Sequence, residues 1–223
     1  MIISIDASTT GCSVALFDGE NLISAAESRI DRSSAEMLTT LIENVLNTSK
    51  ISKGQITAVA VAKGPGSYTG LRIAVSTAKG LAFALDKPLI SYGTLEILAN
   101  QVTGNTETLI CAMIDARRME VYSAFFDSKS KKQVSEVEAI IIDTDSFRDI
   151  LDLNTVLFVG EGSTKCKDLI QHPNARFLDN KILPNASFSG KICFEKYSNG
   201  DFEDLTLFEP YYLKEYMFKT KKP

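Results

Sequence analysis

The sequence predicts an α/β protein of two related lobes, each a mixed sheet flanked by helices. Three observations carry that expectation. Apolar alternation broken by a tight turn puts three antiparallel strands first. The order strand, strand, strand, helix, strand, helix then occurs twice, which favours helices packed on mixed sheets. Finally, Ile5, Asp6, Ala7, Ala15, Phe17 and Asp18 recur as Ile114, Asp115, Ala116, Ala124, Phe126 and Asp127 at one constant offset, for which internal duplication is the economical explanation.

In the first lobe, expected over residues 1–103, residues 2–5, 13–17 and 22–26 read as strands, with Asp18-Gly19 as the hairpin turn between the last two. Ser33-Ser34-Ala35-Glu36 has the form of a capping box. The helix it opens is expected to run to about Asn47, and its apolar residues cover nearly half the circumference, more than one sheet contact requires. A strand over 58–62, a helix over 70–85, a strand over 89–91 and a short helix over 95–102 complete this half. The second lobe, over 104–223, is expected to hold strands over 109–127, 134–142 and 156–159 and helices over 146–151 and 187–197, with its C-terminal segment free to return to the first lobe.

Composition narrows the function classes. The 223 residues are 44% hydrophobic and carry 24 Lys and Arg against 28 Asp and Glu, a net charge of −4 that argues against a protein gripping nucleic acid through many phosphates. Cys12, Cys111, Cys166 and Cys193 form no C-x-x-C pair, so buried reduced thiols and a cytoplasmic location are expected. No apolar run approaches the about 20 residues of a membrane span, so no membrane association is expected. His172 is the single histidine. It cannot form a histidine metal pair, which disfavours metal-dependent hydrolysis, proteolysis included.

Two loops carry candidate chemistry. Ser8-Thr9-Thr10-Gly11 follows Asp6 and offers hydroxyls and backbone amides to an anion; this hairpin resembles the first phosphate loop of sugar kinases, chaperone ATPases and actin. An ordinary polar turn, with Asp6 bonded to backbone N–H groups, is the equal alternative. Its counterpart in the repeat, Arg117-Arg118-Met119-Glu120, substitutes bulky side chains and is poorly suited to completing an ATP clamp. The second loop is Gly64-Pro65-Gly66-Ser67-Tyr68-Thr69-Gly70. Pro65-Gly66 suits a type II turn, Ser67 or Thr69 can cap the incoming helix, and Gly70 permits close backbone approach. An anion could sit at that helix N-terminus near Gly64, Gly66, Ser67, Thr69 and Arg72, although the Walker A spacing fails; a tight turn with no ligand is the competing reading.

The two first-lobe helices are candidates for a docking surface. Met37, Leu38, Leu41, Ile42 and Val45 form the over-wide stripe of one; Leu71, Ala74, Val75 and Ala78 belong to the other, whose Ala74, Gly80 and Ala84 leave low faces. Tight packing within the lobe explains the same pattern equally well.

Ile3-Ser4-Ile5-Asp6-Ala7-Ser8, the block from Ala62 through the glycine-rich loop to Ile73, Ala78-Lys79-Gly80-Leu81-Ala82, Ile114-Asp115-Ala116-Arg117-Arg118-Met119-Glu120-Val121-Tyr122 and Glu209-Pro210-Tyr211-Tyr212-Leu213-Lys214 together resemble the TsaB (YeaZ) family nearly end to end. That resemblance implies an actin-like ATPase (ribonuclease H-like) duplicated fold with a degenerate second lobe. It also implies a non-catalytic scaffold role in synthesis of tRNA N6-threonylcarbamoyladenosine (t6A). The implied partners are TsaD, which transfers the threonylcarbamoyl group and pairs through the two first-lobe helices, and the ATPase TsaE in a ternary complex. tRNA would be met only through the complex, a homodimer through the same helices is open to the isolated chain, and ATP and a divalent metal belong to the partner subunits, with no intrinsic cofactor here. Many members carry a histidine where this chain has Ser33-Ser34. The competing reading is an actin-like enzyme that binds ATP through residues 8–11 and Gly160-Glu161-Gly162.

Overall fold

A computed structural model of the chain describes residues 1–30, 34–104 and 106–213. The first sheet contains β1 (Ile2–Asp6), β2 (Cys12–Asp18), β3 (Asn21–Ser28), β4 (Ala58–Gly64) and β5 (Leu89–Gly93) in the order β3-β2-β1-β4-β5. The hairpins β1–β2 and β2–β3 are antiparallel, whereas β1, β4 and β5 run parallel. The second sheet repeats the plan with β6 (Leu109–Asp115), β7 (Glu120–Asp127), β8 (Glu138–Ile141), β9 (Val156–Val159) and β10 (Ala175–Phe177), ordered β8-β7-β6-β9-β10. Identical order and strand polarity in both halves make this the duplicated, actin-like arrangement. One difference follows from loop length. Asp6 pairs with Ser13 but Asp115 pairs with Val121, because the second hairpin closes through a shorter loop.

Each helix sits where the parallel connections place it. α1 (Ser34–Ser49) and α2 (Tyr68–Leu85) cover one face of the first sheet, against Ile3, Ile5, Val14, Leu16, Val59 and Val61. α3 (Thr94–Asn100) lies between the sheets: Ile97 packs with Ile90 and Tyr92, while Leu95, Leu98 and Ala99 pack with Ile110, Ala112 and Val159. α4 (Arg148–Leu153) and α5 (Glu161–Cys166) serve the second sheet, and α6 (Gly190–Asn199) returns to the outer face of the first. A buried hydroxyl chain fixes that return. Ser189 donates to Ser4 Oγ at 2.7 Å, Ser4 to the Tyr92 hydroxyl at 3.0 Å, and Tyr92 to the Ile5 carbonyl at 3.0 Å, so every member is satisfied.

After α6 the chain runs back over the first lobe as an irregular strap. Glu203 N–H donates to the Leu89 carbonyl, Lys79 Nζ to the Thr206 and Phe208 carbonyls, and Tyr211 N–H to the Lys63 carbonyl. Leu205 and Phe208 pack on the core beneath α2.

Several expected boundaries move. α2 begins at Tyr68, two residues before the expected Gly70, because Ser67 caps it. The strand expected over 134–142 shortens to β8, and Val134 is solvent-exposed. The helix expected over 146–151 is α4, and that over 187–197 becomes the 3₁₀ turn Ala186–Phe188 followed by α6. Neither α5 nor β10 is expected from the sequence pattern. Ser33 of the expected capping box lies outside the described residues. All four cysteines are buried thiols, as expected. Among the described residues, no helix is long and apolar enough to cross a membrane.

Candidate functional site

The glycine-rich loop joins β4 to α2 and closes directly on the first hairpin loop. Ser67 N–H donates to the Ser8 carbonyl at 2.6 Å. A Cβ on Gly66 would lie 2.1 Å from that same carbonyl oxygen, and one on Gly70 would lie 2.0 Å from the Ala7 carbonyl oxygen. Both positions therefore require glycine for backbone-to-backbone approach. Gly66 is not among the positive-φ glycines, so the expected type II turn is incorrect: the residue serves contact rather than handedness. Ser67 caps α2 by accepting from Gly70 N–H at 3.3 Å. Gly64 does have positive φ, and its bare α-carbon faces the Tyr211 carbonyl of the strap.

Of the residues expected at an anion site, Ser8, Gly66 and Ser67 are thus brought together as a clasp. Arg72 is turned elsewhere. Its guanidinium bonds the Tyr68 hydroxyl at 2.9 Å and lies 5.3 Å from the centre of that ring. Thr69 is exposed on the first turn of α2, while Thr9 and Thr10 line a separate small cavity beside Asp6.

Asp6 is the most unusual group in the hairpin. Only 2% exposed, it accepts from Ser8 N–H at 2.8 Å and Ser8 Oγ at 2.6 Å through Oδ1, while Oδ2 is buried without a hydrogen-bond partner among the described residues. Burial pushes its carboxyl up to about 6, against the lowering effect of the two Ser8 bonds. The neighbouring cavity, about 20 Å³ and lined also by Ser13, Glu27, Ser28, Pro184 and Asn185, is the size of one water molecule and far too small for a phosphate chain.

The second lobe keeps the same turn and fills it. Arg117 N–H bonds Asp115 Oδ1 at 2.7 Å, the counterpart of the Ser8 bond to Asp6. Lys165, from α5, inserts its ammonium between Asp115 Oδ1 at 2.5 Å and the carbonyls of Arg118 and Glu120 at 2.8 and 2.5 Å, using all three protons. Arg117 and Arg118 both adopt positive φ beneath it. The position where a second phosphate loop would offer N–H groups is therefore occupied by an internal cation. Gly160 and Gly162, which the competing reading assigns to ATP, let α5 approach β6: a Cβ on Gly160 would lie 2.2 Å from the Met113 carbonyl oxygen.

The expected docking residues need correction. Leu38, Leu41, Ile42, Val45, Leu71, Ala74, Val75 and Ala78 are all core, none more than 6% exposed, and Met37 is half-buried against them. The stripe on α1 is wide because that helix packs on β2, β3 and α2 simultaneously, so two apolar contacts share one helix. What faces outward is different. α1 presents Thr39, Thr40, Glu43, Asn44 and Asn47, and α2 presents Arg72, Ser76, Gly80 and Ala84 at four-residue spacing, with Phe83 alongside at 79% exposure. A Cβ on Gly80 would meet nothing within 4 Å. Among the described residues, no packing calls for glycine there.

His172, 21% exposed at its side chain, receives Asn174 N–H on Nδ1 and reaches Asp152 Oδ1 through Nε2 at 3.2 Å. Both ring nitrogens are engaged in pinning a loop.

The two-sheet architecture and its glycine clasp have counterparts among known proteins. The family model described as "TsaD: tRNA N6-adenosine threonylcarbamoyltransferase" matches residues 27–218. The chain is 30% identical to the tRNA threonylcarbamoyladenosine biosynthesis protein TsaB of Escherichia coli (strain K12), over 100% of this chain and 98% of that one. It is also 30% identical to TsaB of Bacillus subtilis (strain 168), over 76% of this chain and 75% of the relative. Among solved structures, YeaZ from Pseudomonas aeruginosa superposes with a TM-score of 0.83 at 26% identity, covering 95% of this chain and 99% of that one. End-to-end similarity in both sequence and fold leads to one conclusion: the chain belongs to the TsaB (YeaZ) family.

Proposed function

We propose that this chain acts in tRNA t6A biosynthesis as a non-catalytic activating subunit, docking on a TsaD-type transferase through the outer faces of α1 and α2. The observation that carries the docking face is Gly80. A glycine in a helix interior costs about 1 kcal/mol relative to alanine, and among the described residues nothing packs above this one to return that cost. Set between Ser76 and Ala84 it leaves a shallow lane along α2, suited to close approach of a second helix, with exposed Phe83 as an apolar anchor beside it. The non-catalytic role is supported by the second lobe, where Lys165 occupies the turn that an ATP clamp would need. In this reading ATP and a divalent metal reside on the partner subunits, a TsaE-type ATPase joins the pair, and tRNA is modified on the partner.

The test is reconstitution. t6A formation on tRNA by the TsaD-type subunit with its upstream enzyme should depend on adding this chain, and full activity without it contradicts the proposal. A second reading, an ATP-binding enzyme, draws on the unpartnered oxygen of Asp6. Calorimetry of the isolated chain with ATP and Mg²⁺ separates the two: absence of heat is expected, and micromolar binding favours the enzyme.

A further inference from the structure

The course of the strap beside α2 follows from where it is held. Lys79 Nζ donates to the Thr206 and Phe208 carbonyls at 3.2 and 2.9 Å, and Tyr211 N–H donates to the Lys63 carbonyl at 2.7 Å. Tyr212 lies against Tyr68 with ring centres 5.0 Å apart. Lys79 and Tyr68 are three turns apart on α2, about 16 Å, and extended chain covers the same distance between Leu207 and Tyr212. The strap is therefore extended and antiparallel to α2 along one flank of the helix.

Extended chain alternates its side chains, and the burial does so here. Phe208 and Pro210 are half-buried, Phe208 against the core, while Leu207, Glu209 and Tyr211 face solvent as a ledge. Leu207 is 76% exposed and Phe83 79%; with Leu153 they are the three most exposed large hydrophobic side chains among the described residues, and two of the three lie on this flank. Phe83 follows Lys79 by one turn, and helical side chains lean toward the N-terminus, so its ring covers the turn that holds the strap. A single exposed apolar side chain is ordinary, but a row of them beside the open lane through Gly80 marks a contact surface. Arg72 on the helix and Glu209 on the ledge both lack an ion-pair partner among the described residues.

We propose that the strap is a side wall of the docking lane: Leu207 and Tyr211 meet the flank of the helix that the TsaD-type subunit lays along Gly80, and Lys79 is the residue that positions them. This inference rests on the proposed function and extends it from one helix face to a floor with a wall. The wall is continuous with the lane and matches it in length, about 16 Å, which suits a docking helix of three or more turns. Unpaired Arg72 on the floor and Glu209 on the wall call for an acidic and a basic residue on that helix, a pattern that fixes its register. Lys79 acts through the strap carbonyls and touches the partner only through the residues it holds in place.

The experiment is titration calorimetry of a TsaD-type subunit from the same organism into the full-length chain, with a melt of each variant. Leu207→Ser should weaken association about 10-fold and Tyr211→Ala about 5-fold, both with unchanged melting temperature. Leu153→Ser, which removes a still more exposed leucine from the second lobe, should change nothing. Lys79→Met keeps the side-chain stem but loses both carbonyl bonds; it should weaken association about 10-fold and speed hydrogen exchange at Tyr211 N–H, and Lys79→Arg should restore both. Wild-type affinity in Leu207→Ser, with Gly80→Gln still weakened, overturns the wall and leaves the docking proposal standing. No association of the wild type overturns both. Self-association of the wild type that Leu207→Ser abolishes, without a change in partner affinity, gives the ledge to a second copy of this chain and also overturns the proposal.

Discussion

Replacing Gly66 by alanine is expected to unfold the first lobe or lower its stability by about 4 kcal/mol, an effect at the extreme of single substitutions. The new methyl would be placed 2.1 Å from the Ser8 carbonyl oxygen and 3.0 Å from its carbon. Neither is the end of a flexible side chain. Ser8 is held from both directions, by its own bonds to Asp6 Oδ1 and by the 2.6 Å bond from Ser67 N–H, so relief requires separating the two loops. The cost then includes that buried hydrogen bond and the seating of α2, not merely local overpacking. Chemical denaturation of the purified variant checks this. The informative control is Gly80→Ala, which adds the same methyl into open space and should stabilise the isolated chain by about 0.5–1 kcal/mol.

Asp6→Asn should have the second-largest effect, and in the opposite direction. The folded carboxyl titrates at about 6 against 3.8 for an unperturbed aspartate, so between those pH values the folded state holds a proton that the unfolded state has released. The contribution of Asp6 to wild-type stability therefore falls as pH rises from about 4 to 6, then levels off with the full burial penalty present. A shift of this size corresponds to about 3 kcal/mol. Asparagine keeps the acceptor for both Ser8 bonds and never ionises. The variant should match the wild type near pH 4 and exceed it by about 2–3 kcal/mol at pH 8, raising the melting temperature by about 5–10 °C there. Parallel melts at the two pH values provide the measurement; a variant less stable than the wild type at pH 8 would show that the Asp6 charge is matched by a favourable interaction.

These two residues also mark where sequence reasoning succeeds and stops. The duplicated hairpins are legible because Asp6 and Asp115 sit at the same place in a repeated apolar pattern, and Ser67 because a hydroxyl before a helix is a strong local signal. Gly66 stands out in the sequence as a turn residue, but its use is contact: its partner Ser8 lies far away along the chain, and only the tertiary fold sets their carbonyl approach. The apolar stripe on α1 is equally visible, yet periodicity reports how much of a helix is buried, not by what. β2, β3 and α2 share that stripe, leaving polar residues outward. α5 is illegible because six residues containing Gly162, Ser163 and Thr164 carry no helical pattern of their own; contact of Gly160 and Gly162 with the β6 backbone supports the turn. Lys165 is hidden with it. The strap, lacking regular structure, is held by carbonyl contacts that no side-chain pattern encodes.

The functional consequence is an inversion of faces. Residues that look like a docking stripe build the lobe, and of the small residues that leave low faces on α2, Gly80 and Ala84 lie outward while Ala74 is core. Titration calorimetry of a TsaD-type subunit from the same organism into the wild type and into Gly80→Gln tests this most directly, with a melt of each variant alongside. A one-to-one association is expected for the wild type, weakened at least about 100-fold in the variant, or about 3 kcal/mol, while the variant's own melting temperature is equal or higher. Equal affinity for both proteins, or no association with the wild type, would contradict docking through the outer face of α2.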